Sequence, residues 1–385
     1  MTASKGHPHP TTPVLIVGGG IAGLACSIRL SQLGVPHLIT ERESSRARKG
    51  HGFILVKEGI ELLKSMGAWA AIAPRGQKLS EFLLKRPDGS LVMTTPLENS
   101  MGFRRAEFIS ALENLLPPQT LSFNSQFTHF EWTPSGRVTR SHFADGSSIA
   151  ADIFIASDGA RSRIRSTIFP QSQLEPGQVK ELVCHIKSPA LAATLKESFV
   201  KYQKKEGKIA FGLVPCGQDE VIWYLQFDSS EFQLEEDCAA AKRVFAVNLV
   251  GNWCHPIPEI LAETDFEMAH LWNTADLDPL PSLHHENVVL IGDAAHAFLP
   301  FTSQGVNAAL RDVEVLINKL RTTLTSEKIS TPLPGQPLQL EAALEAYSRE
   351  RLPDISRITS SGRGLRTRFL DPGRFAGEEV LPISK

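Results

Sequence analysis

Three places in this 385-residue chain end an apolar run in residues better suited to gripping phosphates and hydroxyls than to packing. The first is Gly18-Gly-Gly20-Ile-Ala-Gly23, which follows Val14-Leu-Ile-Val17. In this G-x-G-x-x-G pattern the first glycine makes a tight turn, the second lets a pyrophosphate approach the backbone, and the third lets a helix pack on the strand. The start of that helix adds unpaired N–H donors and a partial positive charge. Glu41 follows about twenty residues on, where a carboxylate can take the two hydroxyls of an adenosine ribose. A dinucleotide is expected here, and the spacing leaves open which one.

The second place is Asp158-Gly159, reached from Asp152-Ile-Phe-Ile-Ala156 and followed by Arg161-Ser162-Arg163-Ile-Arg165, a carboxylate beside a helix start that favours anions. The third is Gly292-Asp293-Ala-Ala-His296, reached from Asn287-Val-Val-Leu-Ile291. Beyond it, Pro300 and Ser303-Gln304-Gly305-Val306 open a helix whose apolar residues Val306, Ala309, Leu310, Val313, Leu316, Ile317 and Leu320 recur at three and four. If the three turns belong to one sheet they meet one extended ligand with a pyrophosphate, a polyol and a ring.

The elements that must hold these turns follow from periodicity. Val14–Val17, the helix from Ile21 and the strand ending at Glu41 form a βαβ unit. A polar loop over 42–52, a helix over 57–67, a hairpin over 79–95 around Pro87-Asp88-Gly89 and a helix over 105–115 come next. The hairpin breaks the βα rhythm and is assigned to a different sheet. Antiparallel strands precede Asp152. From about 178 to 275 the pattern is strand-like, with a hairpin loop at 216–219 and a helix over 238–250. In Val221-Ile-Trp-Tyr-Leu-Gln-Phe227, Trp223, Leu225 and Phe227 share a core face, while Ile222, Tyr224 and Gln226 share the other, so Tyr224 and Gln226 are candidates for a pocket wall. A Pro-rich loop over 326–339 and a terminal helix over 340–351 close the pattern.

Composition narrows the classes. Lys+Arg number 40 against Asp+Glu 42, which gives no global field for nucleic acid or an anionic membrane. The five cysteines form no C-x-x-C pair and read as free thiols in a reducing compartment. No apolar run of about eighteen residues exists, so a cytoplasmic protein without a transmembrane segment is expected. The histidines show no metal spacing, so no metal is expected, and no serine or cysteine sits in a nucleophile elbow. His296, in a tight turn, reads as a packed, hydrogen-bonded residue, and Asp158 and Asp293 carry a second reading as helix caps.

These three motifs, in this order, resemble the single-component (class A) FAD-dependent aromatic hydroxylases, the family of para-hydroxybenzoate hydroxylase, over nearly the whole length. The resemblance implies an α/β fold with a Rossmann-like FAD-binding domain, built on a βαβ unit and parallel sheet, interleaved with an antiparallel-sheet substrate domain and followed by C-terminal helices. The FAD-binding parts would be 12–75, 101–177 and 276–325, the substrate-domain hairpin 76–100, the substrate domain 178–275, and 326–385 a loop and helical segment. It implies non-covalent FAD held by Gly18, Gly20, Gly23, Glu41 with Arg42 beside it, Arg105, Asp158, Gly292, Asp293, Pro300, Gly305 and Val306. NADPH or NADH would be the transient reductant, Asp158 touching that site too. An aromatic or other electron-rich small molecule would be hydroxylated or epoxidised with O2 through a flavin C4a-hydroperoxide, by a monomer or homodimer. An FAD-dependent reductase of an isoprenoid-type double bond and a non-catalytic flavin-binding protein are the alternatives. The chain departs from the family where Ser303-Gln304-Gly305 replaces a usual Gly-Gln-Gly, where Arg311-Asp312 replaces Glu-Asp, and where Ala156-Ser157-Asp158-Gly159 replaces Gly-Ala-Asp-Gly. The W-x-W-x-I-P pattern of the flavin-dependent halogenases is absent near residue 210.

Overall fold

The computed structural model describes residues 10–44, 52–325 and 337–375. Its centre is the strand Thr11–Val17, which pairs in parallel with His37–Thr40 on one side and Ser148–Ala156 on the other. Val14, Leu15, Ile16 and Val17 are at most 3% exposed, as a strand covered on both faces requires. The short strands Val288–Leu290 and Leu121–Ser122 extend this sheet in parallel on its two sides, and His284–His285 pairs antiparallel beyond the first of them. The antiparallel pair Phe127–Trp132 and Val138–Phe143 joins through Ser148–Ala156. The helices Ile21–Gln32 and Gly305–Thr325 pack together, and the C-terminal helix Pro337–Leu370 lies against the second of them.

A second sheet of eight strands runs in the order His270–Leu277, Leu174–Lys187, Glu220–Asp228, Ile209–Gly217, Ser198–Gln203, Gly76–Lys85, Leu91–Arg104, Gly52–Leu55. It is antiparallel except where Ser198–Gln203 meets Gly76–Lys85 in parallel. One face packs on the helices Pro189–Leu195, Ala239–Val250 and Ile257–Glu263, with Trp223, Leu225, Phe227, Phe211 and Leu213 buried between. Trp223 stacks on Phe211 at 5.3 Å and donates its indole N–H to Thr264 Oγ1 at 2.9 Å, so its one polar atom is satisfied in the core.

The hairpin around Pro87-Asp88-Gly89 does belong to this second sheet, but so do Gly52–Leu55 and Met101–Arg104, which pair with each other. The boundary drawn at 100 therefore falls inside the strand Leu91–Arg104, and the pair Gly52–Leu55 with Met101–Arg104, assigned to the FAD-binding parts 12–75 and 101–177, lies in the second sheet. Pairing partners so distant in sequence leave no local mark. Of the expected loop over 42–52, residues 45–51 lie outside the described residues, and Gly52 already begins a strand. Residues 326–336 of the expected Pro-rich loop also lie outside them.

The terminal helix does not stop at Arg351. It continues through Pro353 to Leu370. A proline inside a helix removes one hydrogen bond and costs roughly 3 kcal/mol. Burial of Tyr347, Arg351, Ile355 and Ile358 along the inward face offsets that cost.

Candidate cofactor and substrate site

The glycine loop is where the two sheets approach. Gly18 adopts φ +110°, and a Cβ there would lie 2.2 Å from the Ser157 carbonyl oxygen. A Cβ on Gly23 would lie 2.1 Å from the Gly18 carbonyl oxygen. Both are glycines because the chain's own backbone crowds them. Gly20 differs: nothing stands within 4 Å of where its Cβ would be, and its φ is an ordinary −78°. Neither packing nor backbone conformation accounts for a glycine there. The absent side chain opens the start of the helix Ile21–Gln32, which no side chain caps, toward a cavity.

Glu41 closes the loop from the neighbouring strand. One of its oxygens accepts the Gly19 N–H at 2.9 Å and the other the Glu43 N–H at 3.0 Å, with 8% of the residue exposed. Arg42 beside it is turned to solvent with Glu43 at 3.7 Å and does not line the cavity.

The cavity, of about 580 Å³, runs from Gly20 past Gly159, Gly292 and Asp293 to the loop Pro300–Val306, and its far wall is the second sheet. Arg105 opens its helix and reaches the same space. Gly305 and Val306 begin the helix Gly305–Thr325 at the cavity surface, and nothing lies within 4 Å of a Cβ position on Gly305. Asp293 is exposed, and its carboxylate has no hydrogen bond or ion pair among the described residues. Ser303 holds φ +53°, the left-handed conformation that glycine takes without strain.

Asp158 is occupied otherwise. Its carboxylate accepts from Ser162 Oγ at 2.5 Å, from the Arg163 N–H at 2.9 Å and from the Ile164 N–H at 3.3 Å, so it satisfies the first-turn donors of the helix Arg163–Ile168 beside the capping residue Ser162. Burial pushes its carboxyl up while those hydrogen bonds oppose the shift. Gly159 next to it lines the cavity; Asp158 does not. The second reading of Asp158, as a residue serving the helix start, therefore has the geometry, and no ligand contact is drawn from its side chain. Gly18 and Gly23 likewise shape the loop from behind.

Beneath the third turn lies a buried polar network. Asp312 accepts the Gly292 N–H at 2.8 Å and His296 Nε2 at 2.6 Å on one oxygen, and Arg351 Nε at 2.8 Å on the other. Burial works against the charge, yet His296 and Arg351 hold the Asp312 carboxyl below the usual carboxylate range. His296 is 1% exposed and stacks on Phe298, as a packed residue should. Arg165 ties the second turn to the third by donating to the carbonyls of Ala160 at 2.7 Å and Ala294 at 3.1 Å. Asn307 ties the helix start to the second sheet, accepting from Val56 N–H at 3.1 Å and donating to the Ser303 carbonyl at 3.0 Å. Arg165 stands in the second motif, but spacing could not show that it or Asn307 would bind the backbone at Ala294 and Val56, far away in sequence. Asp312 did leave a sign, as the retained acid of Arg311-Asp312.

Ile222, Tyr224 and Gln226 line the cavity, while Trp223, Leu225 and Phe227 are buried on the other face. Tyr224 lies across from Gly212, whose Cβ would sit 2.0 Å from the Tyr224 ring, so Gly212 leaves room for that ring. Gln226 donates to Glu181 Oε1 at 2.6 Å and accepts from Lys201 Nζ at 2.7 Å. Burial pushes the Glu181 carboxyl up to about 7, and burial pulls the Lys201 ammonium down to about 8. Neither Glu181 nor Lys201 stands in a motif; both were missed, and only their position on strand faces could have marked them.

Residues 11–360 match the FAD binding domain family. Among curated relatives, Monooxygenase 1 of Arabidopsis thaliana is 26% identical over 376 residues, covering 92% of this chain and 91% of its own. The 6-hydroxynicotinate 3-monooxygenase of Pseudomonas fluorescens is 24% identical, with 96% of each chain covered. Of solved structures, Klebsiella pneumoniae HpxO complexed with FAD and uric acid superposes with a TM-score of 0.80 at 19% identity, covering 96% of this chain and 91% of its own. Pseudomonas aeruginosa PqsL in complex with 2-aminobenzoylacetate gives 0.78 at 21% identity, covering 95% and 99%. Among the described residues no helix is long and apolar enough to cross a membrane, and no cluster of acids, histidines or cysteines could hold a metal ion.

Proposed function

The chain belongs to the FAD binding domain family and is an FAD-dependent monooxygenase, and on that footing we propose that it inserts one oxygen atom from O2 into an aromatic small molecule held between the cofactor and the second sheet, with NAD(P)H as reductant. The observation that carries the reading is Gly20: a glycine that neither packing nor conformation explains, at an uncapped helix start, on a cavity that continues to an aromatic-lined sheet face. FAD would supply the electron transfer from the nicotinamide and the activation of O2.

The residues fit that cofactor. The helix start at Gly20 would face the pyrophosphate and Glu41 the adenosine ribose. Arg105 would add a positive charge. Asp293 would offer its exposed carboxylate to a polyol hydroxyl, and the N–H groups of Gly305 and Val306 would meet a ring edge that gains negative charge on reduction, with Pro300 alongside. Gly18, Gly23, Asp158 and Gly292 would serve by holding the three turns in place, and Arg42 has no role that the geometry supports. Phe82, Phe199, Val214 and Ile222 offer an apolar surface to a substrate ring and keep water from it.

The test is direct. The purified protein should be yellow, release FAD on denaturation, and transfer label from oxygen-18 gas into an aromatic compound when NAD(P)H is supplied. Label appearing only in hydrogen peroxide for every aromatic tested would favour a non-catalytic flavoprotein. Saturation of an isolated double bond without label would favour the reductase.

A further inference from the structure

The cavity-facing side of the second sheet is apolar at one end and polar at the other, and the polar end is built across strands. Glu181 pairs in register with Gln226, and Lys201 and Tyr224 flank Gly212 in the neighbouring row. Because Gly212 has no side chain, Lys201 reaches sideways to Gln226 and Tyr224 folds over the gap. The ammonium also lies 5.9 Å from the Phe301 ring centroid and 5.4 Å from that of Phe369, so aromatic faces supply part of the solvation it lost.

This array is incomplete as a purely structural device. Glu181 is 5% exposed, and its second oxygen has no hydrogen bond among the described residues. Lys201 has three donors and spends one on Gln226. Charged groups this buried stabilise a fold less than well-packed apolar residues of the same volume would. All of them line the cavity.

Resting on the monooxygenase reading above, we propose that Glu181, Gln226 and Lys201 form the subsite for an ionisable O–H or N–H on the substrate ring, in which Glu181 takes the proton and Lys201 holds the anion. The substrate's O–H bond breaks heterolytically, its electron pair stays on the substrate oxygen, and the proton forms a new O–H bond on Glu181. Nothing is oxidised or reduced, and the cavity's net charge is unchanged. Gln226 is a positioning residue, fixing Glu181 and Lys201 on either side of one point. The anion makes the ring a stronger electron donor toward an incoming oxygen atom. The carboxyl near 7 and the ammonium near 8 suit this exchange at neutral pH. Among the described residues, the other titratable groups on the cavity surface are Tyr224 and His270 from neighbouring strands, Arg368 from the terminal helix, and Arg105 and Asp293 from the cofactor side.

The experiment uses FAD-loaded full-length protein with methyl 4-hydroxybenzoate, a phenol whose own pKa lies above neutrality, and methyl 4-methoxybenzoate, which lacks the acidic proton. At about pH 7.5, between the two groups' pKa values, the wild type should bind the phenol about tenfold or more tightly than the ether, with the ultraviolet band of the phenolate and no proton released to the buffer. Glu181→Gln should release about one proton per phenol bound. Lys201→Met should bind the phenol in its neutral form about tenfold or more weakly, with ether affinity held within about twofold. Lys201→Gln, which keeps a donor to Gln226, serves if Lys201→Met loses its FAD. Equal affinity for phenol and ether, a wild-type complex without the phenolate band, or binding of neither compound overturns the assignment. Oxygen-18 incorporation is measured on the same protein. Label transfer to an aromatic together with a neutral bound phenol removes this inference and leaves the monooxygenase reading; a bound phenolate with no labelled product from any aromatic does the reverse.

Discussion

Gly20 and Gly23 stand three positions apart in one motif and are glycine for different reasons, which makes them separable by substitution. Gly20→Val should fold normally, since the Cβ position is open, and should weaken FAD binding by about a hundredfold or more, roughly 2.7 kcal/mol. Gly23→Val should fail to fold, because its Cβ would press on the Gly18 carbonyl. A soluble Gly20→Val protein with full FAD content would remove the pyrophosphate assignment. Asp158 and Asp293 divide in the same way. Asp158→Ala should cost roughly 1–2 kcal/mol of stability, because two first-turn N–H groups and the capping Ser162 lose their carboxylate partner. Asp293→Ala should leave the melting temperature of the FAD-free protein unchanged and weaken FAD retention by about one to two decades. Glu181 sets a pH dependence of its own. Its folded carboxyl is raised from 4.5 to about 7, so its protonated form suits the fold, and stability is lost as pH rises through that window. Glu181→Gln should therefore match the wild type near pH 5 and exceed it at pH 8 by on the order of 1–3 kcal/mol, read from denaturant unfolding at the two pH values.

At the scale of the element, the turn at Gly292-Asp293 owes its position to residues outside it. Asp312 reaches it from the helix Gly305–Thr325 and Arg351 from the terminal helix. Asp312→Asn should cost about 3–5 kcal/mol, because it leaves a buried guanidinium without its counter-charge. The sign with pH is opposite to that of Glu181: a depressed carboxyl contributes stability above 3.8 that is lost only as pH falls below it, so the variant's deficit should narrow in acid. What sequence could show divides along the same line. The βαβ unit and the two phases of Val221–Phe227 were legible because each depends on neighbours within a few residues. The pairing of Gly52–Leu55 with Met101–Arg104, the run of the last helix through Pro353, and the convergence of Glu181, Lys201 and Gln226 were not, because strand register and helix burial across the molecule decide them.

For the whole molecule, one cavity has a wall from each sheet, so a ligand filling it touches both and adds to the packing that already joins them through Leu55, Phe103 and Leu277. FAD at a hundredfold excess over its Kd should add about 2.7 kcal/mol to the stability of the full chain. That gain should register at the same temperature in the fluorescence of Trp223, deep in the second sheet, and in far-ultraviolet dichroism; a shift in dichroism alone would mean that the cofactor stabilises only the first sheet. An aromatic substrate placed in the same cavity should accelerate NAD(P)H oxidation, since it alters the surroundings of the cofactor it shares a wall with.

The alternation along Glu220–Asp228 also bears on how such an enzyme can change over generations. Trp223, Leu225 and Phe227 are anchored in helices behind the sheet, while Ile222, Tyr224 and Gln226 look into the cavity. Every second position of this strand is therefore answerable to the helices behind it, and the positions between to whatever fills the cavity, with Ile222 also packed among Val183, Val214 and Phe199. A lineage could reshape the contents of that space by rewriting Tyr224 and Gln226, without renegotiating the architecture that displays them.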